Sequence, residues 1–262
     1  MSVSSNLIFY DTETTGLLKD FSQILQCGSI QTSRSLEILH EQNLGCAPLP
    51  WAIPHPMAMV TNKKTNLFHS NISHYELMRD LNRQWRQWTI DEPAVFITFN
   101  GMAYDEELVR RQFYWNLFES YLTNTNGNGR LDILLMMNNV AAFSPDVLNI
   151  PLFNGGPGVS LKQADIAEAN GIEIGDAHDA IADCKLMISL LEKINAKKPE
   201  LIDFFLSIST KPGVQAAVQQ PGFLGLGEVF RREIFKYPVV PCGSKAPNDL
   251  MFFDLSFDPF PY

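Results

Sequence analysis

The stretch Leu7-Ile-Phe-Tyr-Asp11-Thr-Glu13-Thr-Thr-Gly16 constrains this chain more than any other. An apolar run of β character ends in two acids one residue apart, then in a glycine that permits a turn. Side chains of a strand alternate between faces, so Asp11 and Glu13 share one side and their charges repel. A fold tolerates that repulsion readily when something positive lies between them, and a divalent cation is the usual answer. The bland alternative is a strand end entering a solvated turn, where acids are common. Carboxylates arriving at matching places later in the chain decide between the two.

Two such places exist. Ala94-Val-Phe-Ile-Thr-Phe99 is a short apolar run of the type buried in a central sheet, and Asn100-Gly-Met-Ala-Tyr-Asp105 follows it. Asp105 therefore stands at the start of the next helix, where an open sheet presents side chains to a cleft, although an N-cap role would also explain it. The last place is Asp176-Ala-His178-Asp-Ala-Ile-Ala-Asp183. Ile181, Cys184, Ile188 and Leu191 make the apolar stripe of that helix, and Asp183 borders it, half solvated. His178 falls at the start of the helix.

The rest of the chain supplies a scaffold. Ser22–Thr32 and Leu36–Cys46 read as strands, the former with Gly28 where a bulge or close approach would fit. The proline-dense stretch 48–56 is extended. Helical spacing covers Asn71–Trp88, with Trp85 and Trp88 read as core, then Glu106 to about Tyr121, Arg130–Ala142, Leu161–Asn170 and Ala177 to Asn195. From Lys211 onward, Lys211-Pro-Gly, Pro221-Gly and Pro241-Cys-Gly punctuate short β runs and suggest a small β module. Strands first, then helices alternating with one more strand, indicate an α/β or α+β domain.

Composition bounds the reading. With 262 residues, 45% hydrophobic and 19% charged, the chain is one large domain or one domain with an appendage. No apolar run is long enough for a membrane span, and residues 1–6 lack a signal-peptide pattern, so a cytoplasmic protein is expected. Cys27, Cys46, Cys184 and Cys242 form no CxxC pair, which argues against a zinc site and fits buried thiols in a reducing compartment. A net charge of −9 is unlike a nucleic-acid binder, but metal-ligating acids lower the total while bound cations reverse the local field. Lys63-Lys64, Arg79/Arg83/Arg86, Arg110-Arg111 and Arg231-Arg232 read as solvated faces.

Asp-x-Glu on a first strand, Asp after a mid-chain strand and His-x4-Asp on a late helix resemble the histidine-containing (DEDDh) branch of the DEDD exonuclease superfamily. Within it, Tyr104-Asp-Glu-Glu-Leu-Val-Arg-Arg-Gln-Phe-Tyr114, Arg130-Leu-Asp-Ile-Leu, Ala169-Asn-Gly-Ile, the stretch 198–205 and Gly222-Phe-Leu-Gly225 are similar to the exonuclease I family, which degrades single-stranded DNA from the 3′ end.

The resemblance implies an α/β fold, a ribonuclease H-like mixed sheet flanked by helices over 1–205, and a partial SH3-like β module over 206–262. The family's C-terminal helical domain is missing, so a C-terminally truncated chain is expected. It further implies that Asp11, Glu13, Asp105 and Asp183 hold two Mg²⁺ ions, with Mn²⁺ as a substitute. Two ions roughly 3.5–4 Å apart clamp the attacking and leaving oxygens of a phosphoryl transfer. His178 would be the general base, with Glu13 beside it in the reaction, and the product a nucleoside 5′-monophosphate. Thr12, Glu13, Thr61, Arg110 and Lys162 are the implied substrate contacts. Lys162 stands where the family has a basic residue on the phosphate, and Asn62 replaces the glycine of the family's strand-end wedge. The implied partners are single-stranded DNA and a single-stranded DNA-binding protein. Two other functions compete: an RNA-directed or proofreading exonuclease of the same superfamily, and a catalytically silent nucleic-acid-binding module.

Overall fold

The strand that ends in Asp11 and Glu13 is β1 (Asn6–Thr14), and it is buried almost throughout because helices cover both faces of its sheet. The computed structural model describes residues 5–175, 179–246, 249–258 and 260. Residues 1–4 and Tyr262, on which the expectations about the chain's two ends rest, lie outside them.

In chain order, β2 (Ile24–Ser33) and β3 (Ile38–Gly45) follow β1, then α1 (Pro56–Asn62), α2 (His74–Trp88), β4 (Ala94–Thr98), α3 (Asp105–Trp115), β5 (Gly129–Asp132), α4 (Ile133–Phe143), α5 (Gln163–Ala169), α6 (Ala180–Lys197), α7 (Pro199–Ser207) and α8 (Lys211–Val218). The chain continues with β6 (Leu224–Phe230), β7 (Glu233–Ala246) and β8 (Asp249–Asp254). The first five strands form one sheet in the order β3-β2-β1-β4-β5. β1 is antiparallel to β2 and parallel to β4, and β4 is parallel to β5, so the sheet is mixed.

The period of two along β1 sorts its side chains. Leu7 and Phe9 join the layer of α4, α6 and α7, with Met136, Val140, Met187, Leu191 and Ile202. Ile8 and Tyr10 join the layer of α2 and α3, with Leu77, Trp85, Leu108 and Phe113. Trp85 is fully buried against Tyr10 and Phe96, ring centres 5.0 and 5.1 Å away, which makes it the core residue its spacing predicted. By the same alternation Asp11 and Glu13 belong to the face that α6 covers.

Several boundaries differ from the sequence reading, each for a local reason. Arg130-Leu-Asp is strand, because Arg130 and Leu131 pair with Phe96 and Ile97; the helix begins only after Asp132, whose side chain caps it through Leu134 N at 2.9 Å. α3 stops at Trp115, where Asn116 caps it and Leu117 takes a positive φ of 61°. Lys211-Pro-Gly does not punctuate strands. It is the first turn of α8, with Thr210 as N-cap and a proline where a first turn tolerates one. α2 starts at His74 behind a capping box of Ser73 and Glu76.

β6, β7 and β8 form a separate antiparallel sheet. It docks on α4: Asn139 Oδ1 accepts from Gly227 N at 2.9 Å and Asn138 Oδ1 from Val229 N at 3.0 Å. Cys27, Cys46 and Cys184 are buried thiols as expected, but Cys242 is exposed on this second sheet. Among the described residues no helix is long and apolar enough to cross a membrane.

Candidate active site

Gly28 is the residue that lets the site form. It pairs with Asp11 across β1 and β2, and a Cβ there would meet Ala180 C and Ile181 N at 2.6 Å. The first turn of α6 thus rests directly on the sheet, with Cys184 Sγ 3.5 Å from Gly28 O. Only glycine permits that approach, and the approach delivers Asp183, in the first turn of α6, to the acids of β1.

Asp11, Glu13 and Asp183 each offer a carboxylate oxygen, and these oxygens lie within 4.8 Å of one another. Asp105 joins from the start of α3. It is not used as an N-cap: Tyr104 holds that position, and the Thr12 hydroxyl donates to Asp105 Oδ1. The β4–α3 loop carrying Asp105 is held in turn by Asp132, which accepts from Asn100 N at 2.8 Å and Met102 N at 3.1 Å. Tyr104 ties the same loop to the end of β1, its hydroxyl 2.9 Å from Thr14 Oγ1 and donating to Gly16 O.

The electrostatics report how crowded the acids are. The Asp11 carboxyl is pushed well above the usual range, first by burial and then by Asp105, Asp183 and Glu13. Burial and then Asp183 raise Glu13 to about 8, against the opposing pull of Lys64. Burial raises Asp105 to about 6, opposed by the Thr12 hydrogen bond. Without a cation these groups tend to take up protons; a bound cation would hold them ionised. The donors are all carboxylate oxygens, the set that hard divalent ions such as Mg²⁺ and Mn²⁺ prefer, so the residues fit the implied metal.

A cleft of about 1040 Å³ contains Asp11, Thr12, Glu13, Asp105 and Asp183 together with Lys162. A second depression of about 760 Å³, between β5 and α8, has no acid among the described residues that line it. Lys162 is exposed at the N-cap of α5, and Gln163 Nε2 binds Asp183 O at 2.9 Å, which couples that helix to α6. Arg110 and Thr61 do not line the cleft. Arg110 pairs with Glu107 at 3.2 Å and lies 4.5 Å over the Tyr121 ring, while Thr61 is exposed on α1. Asn62, next to it, is buried and donates to Thr14 O at 3.0 Å, anchoring α1 to the end of β1. His178 lies outside the described residues.

Several residues of the site escaped the sequence reading. Lys64 is not a solvated charge: its Nζ lies 2.8 Å from Asp179 Oδ2, and Asp179 caps α6 through Ile181 N at 3.2 Å. Gln26 Nε2 adds a bond to the same Asp179 oxygen at 3.1 Å. Arg232 is exposed, as its sequence context suggests, but it also stacks on Phe153 beside the cleft. Asp132 gave no signal except its place before an apolar run, which is an N-cap signature.

A mixed five-stranded sheet covered by helices on both faces, with acids from its first strand, from the helix after a central strand and from a late helix, is a ribonuclease H-like fold. The second sheet is consistent with an SH3-like module. No protein-family model matches the chain. Among curated proteins it is similar to exodeoxyribonuclease I of Buchnera aphidicola subsp. Baizongia pistaciae, 29% identical over 219 residues, which is 81% of this chain and 44% of that protein. It is 25% identical over 224 residues to exodeoxyribonuclease I of Escherichia coli K12, covering 83% and 46% of the two chains. The fold matches E. coli exonuclease I in complex with a dT13 oligonucleotide, with a TM-score of 0.82 at 22% identity over 97% of this chain and 56% of that one. A moderately thermophilic exonuclease I from Methylocaldum szegediense gives 0.83 at 24% identity, over 98% and 56%. The chain is similar to exonuclease I in sequence and matches it in fold, and it spans about half the length of the curated relatives it matches.

Proposed function

We propose that this chain is a metal-dependent 3′-5′ exonuclease that hydrolyses single-stranded DNA to nucleoside 5′-monophosphates. The observation that carries the reading is the convergence of Asp11, Glu13 and Asp183 within 4.8 Å, in a cleft that also holds Asp105 and Lys162. Asp11, Glu13, Asp105 and Asp183 would hold two Mg²⁺ ions, or Mn²⁺ in their place. Bound there, divalent ions supply charge stabilisation to a phosphoryl group under attack.

The chain's own residues do the rest. Thr12 orients Asp105 by its hydrogen bond, and Lys64 orients the cap of α6 through Asp179. Lys162 supplies a point charge for the phosphate of the bound nucleotide. His178, adjacent in sequence to Asp179, takes the proton of the attacking water, a role suited to an imidazole at neutral pH. Thr61 and Arg110 are weaker candidates for substrate contact, since neither faces the cleft that holds the acids.

E. coli exonuclease I is solved with a dT13 oligonucleotide, and another structural relative is an ExoI/SSB-Ct complex. Single-stranded DNA and a single-stranded DNA-binding protein are accordingly proposed as partners, with a cytoplasmic site of action. The decisive assay offers 3′-labelled single-stranded DNA and a matched RNA strand with Mg²⁺ or with EDTA. Release of labelled 5′-mononucleotide from DNA with Mg²⁺, and none with EDTA, is expected. Preferential release from RNA would transfer the assignment to an exoribonuclease, and binding without release would make the chain a silent module.

A further inference from the structure

β6 and β7 are joined by a two-residue turn, Arg231-Arg232, with Phe230 paired to Glu233. Both residues have positive φ, 50° and 71°. Two-residue hairpin turns with that backbone favour Asn-Gly, so two arginines there are strained. Such strain persists where the surroundings over-determine it, and it clusters at functional sites. Here the surroundings are specific. Val159 N donates to Arg232 O at 2.9 Å, and the guanidinium carbon of Arg232 lies 3.3 Å from the centre of the Phe153 ring.

Phe153, Val159 and Arg232 line the same cleft as the acid cluster and Lys162. Every described arginine outside this turn is paired with a carboxylate. Arg232 has an aromatic face in place of a carboxylate. Stacking fixes the plane of a guanidinium while leaving its N–H edge free to donate, which suits bidentate contact with a phosphate.

We propose that Arg232 is a substrate-binding residue that receives a backbone phosphate of the strand on the 5′ side of the bond to be cleaved. The inference rests on the nuclease reading above. With the 3′ nucleotide at the acids, the rest of the strand must run along the cleft, and Arg232 brings to it a cation from the second sheet. The competing role is that of a pin, in which the arginine only fastens β6 and β7 to the Phe153 loop.

The test measures binding of a labelled oligothymidylate by anisotropy across a salt series, with Ca²⁺ replacing Mg²⁺, for the whole chain and for Arg232→Asn and Arg232→Lys. Asparagine tolerates positive φ, so Arg232→Asn removes the cation without adding backbone strain, and circular dichroism melting checks that it folds. Expected are an affinity loss of about five- to tenfold and a log–log salt slope shallower by ~0.7, the value for one phosphate contact on a single strand. Arg232→Lys should recover the slope with part of the affinity, and it carries the comparison if the asparagine variant melts early. KM for hydrolysis should rise more with a long strand than with a dinucleotide. An unchanged slope in a folded Arg232→Asn, with or without weaker binding, would overturn the inference in favour of the pin. A wild-type chain that neither binds nor degrades single-stranded DNA would instead remove the nuclease reading itself.

Discussion

Lys64 Nζ lies 2.8 Å from Asp179 Oδ2, and this ion pair joins the segment after α1 to the cap of the helix that carries Asp183. The two side chains are 14% and 27% exposed, so the pair is sheltered enough to matter yet not fully desolvated. Lys64 also pulls the Glu13 carboxyl down while its acidic neighbours push it up. Lys64→Met should therefore lower stability by roughly 1 kcal/mol. It should also shift the alkaline requirement for metal binding upward, because Glu13 loses its opposing charge. Lys64→Arg should restore both in a denaturant melt and a pH series. A wild-type pH series in Lys64→Met would rule out its electrostatic role.

The raised carboxyls make the metal-free protein sensitive to pH. A group whose folded pKa exceeds its unfolded value favours folding below the unfolded value, and that contribution is lost as pH rises through the folded one. For Glu13 the window runs from the ordinary 4.5 to about 8, and for Asp105 from 3.8 to about 6. In EDTA, Tm should fall between about pH 5 and 8 on this account, while added Mg²⁺ should raise Tm more at pH 8 than at pH 5. Equal Mg²⁺ stabilisation at both values would contradict the acid cluster as the metal site.

Asp11→Asn separates stability from function. Removing a buried, repelled carboxyl should raise Tm in EDTA and reduce the Mg²⁺-induced increase. Nucleotide release should fall on the order of a hundredfold or more, since the hole left in the donor set affects the charged transition state. A variant with full activity would show that Asp11 holds no ion.

The resemblance implies a substrate contact for Thr12, but its buried hydroxyl donates to Asp105. Thr12→Val keeps the volume and removes the donor that holds the Asp105 carboxyl down. The acid limb of the pH–rate profile should move to higher pH, and Thr12→Ser should return it. A profile that stays in place with a raised KM would return Thr12 to the substrate-contact role.

The order of the acids was legible because each stands at a structural boundary that local chemistry marks. Asp11 and Glu13 end an apolar strand, Asp105 follows one, and Asp183 borders an apolar helical stripe. The α/β class was legible for the same reason, as the periods of two and of 3.6 are written in the residues themselves. The errors fell where hydrogen bonds to a distant strand, or a cap at the adjacent residue, override the local pattern. Arg130-Leu-Asp looks helical until β4 offers it hydrogen bonds, and Lys211-Pro-Gly looks like a turn until Thr210 caps it.

What the sequence determined alone is the set of chemical groups and their strand or helix addresses. Only the tertiary structure decided which charges are partnered. Lys64 and Arg232 read alike on paper, as basic residues beside other basic residues. One lies against Asp179 and the other against Phe153. Partnering is a matter of distances between segments far apart in the chain, here 115 residues for Lys64 and Asp179. Coulomb energy, desolvation and ring stacking all depend on those distances and not on sequence neighbours. Gly28 shows the link between the two levels: a missing side chain, visible in the sequence, acquires its meaning only when α6 comes down on it and sets Asp183 beside Asp11 and Glu13.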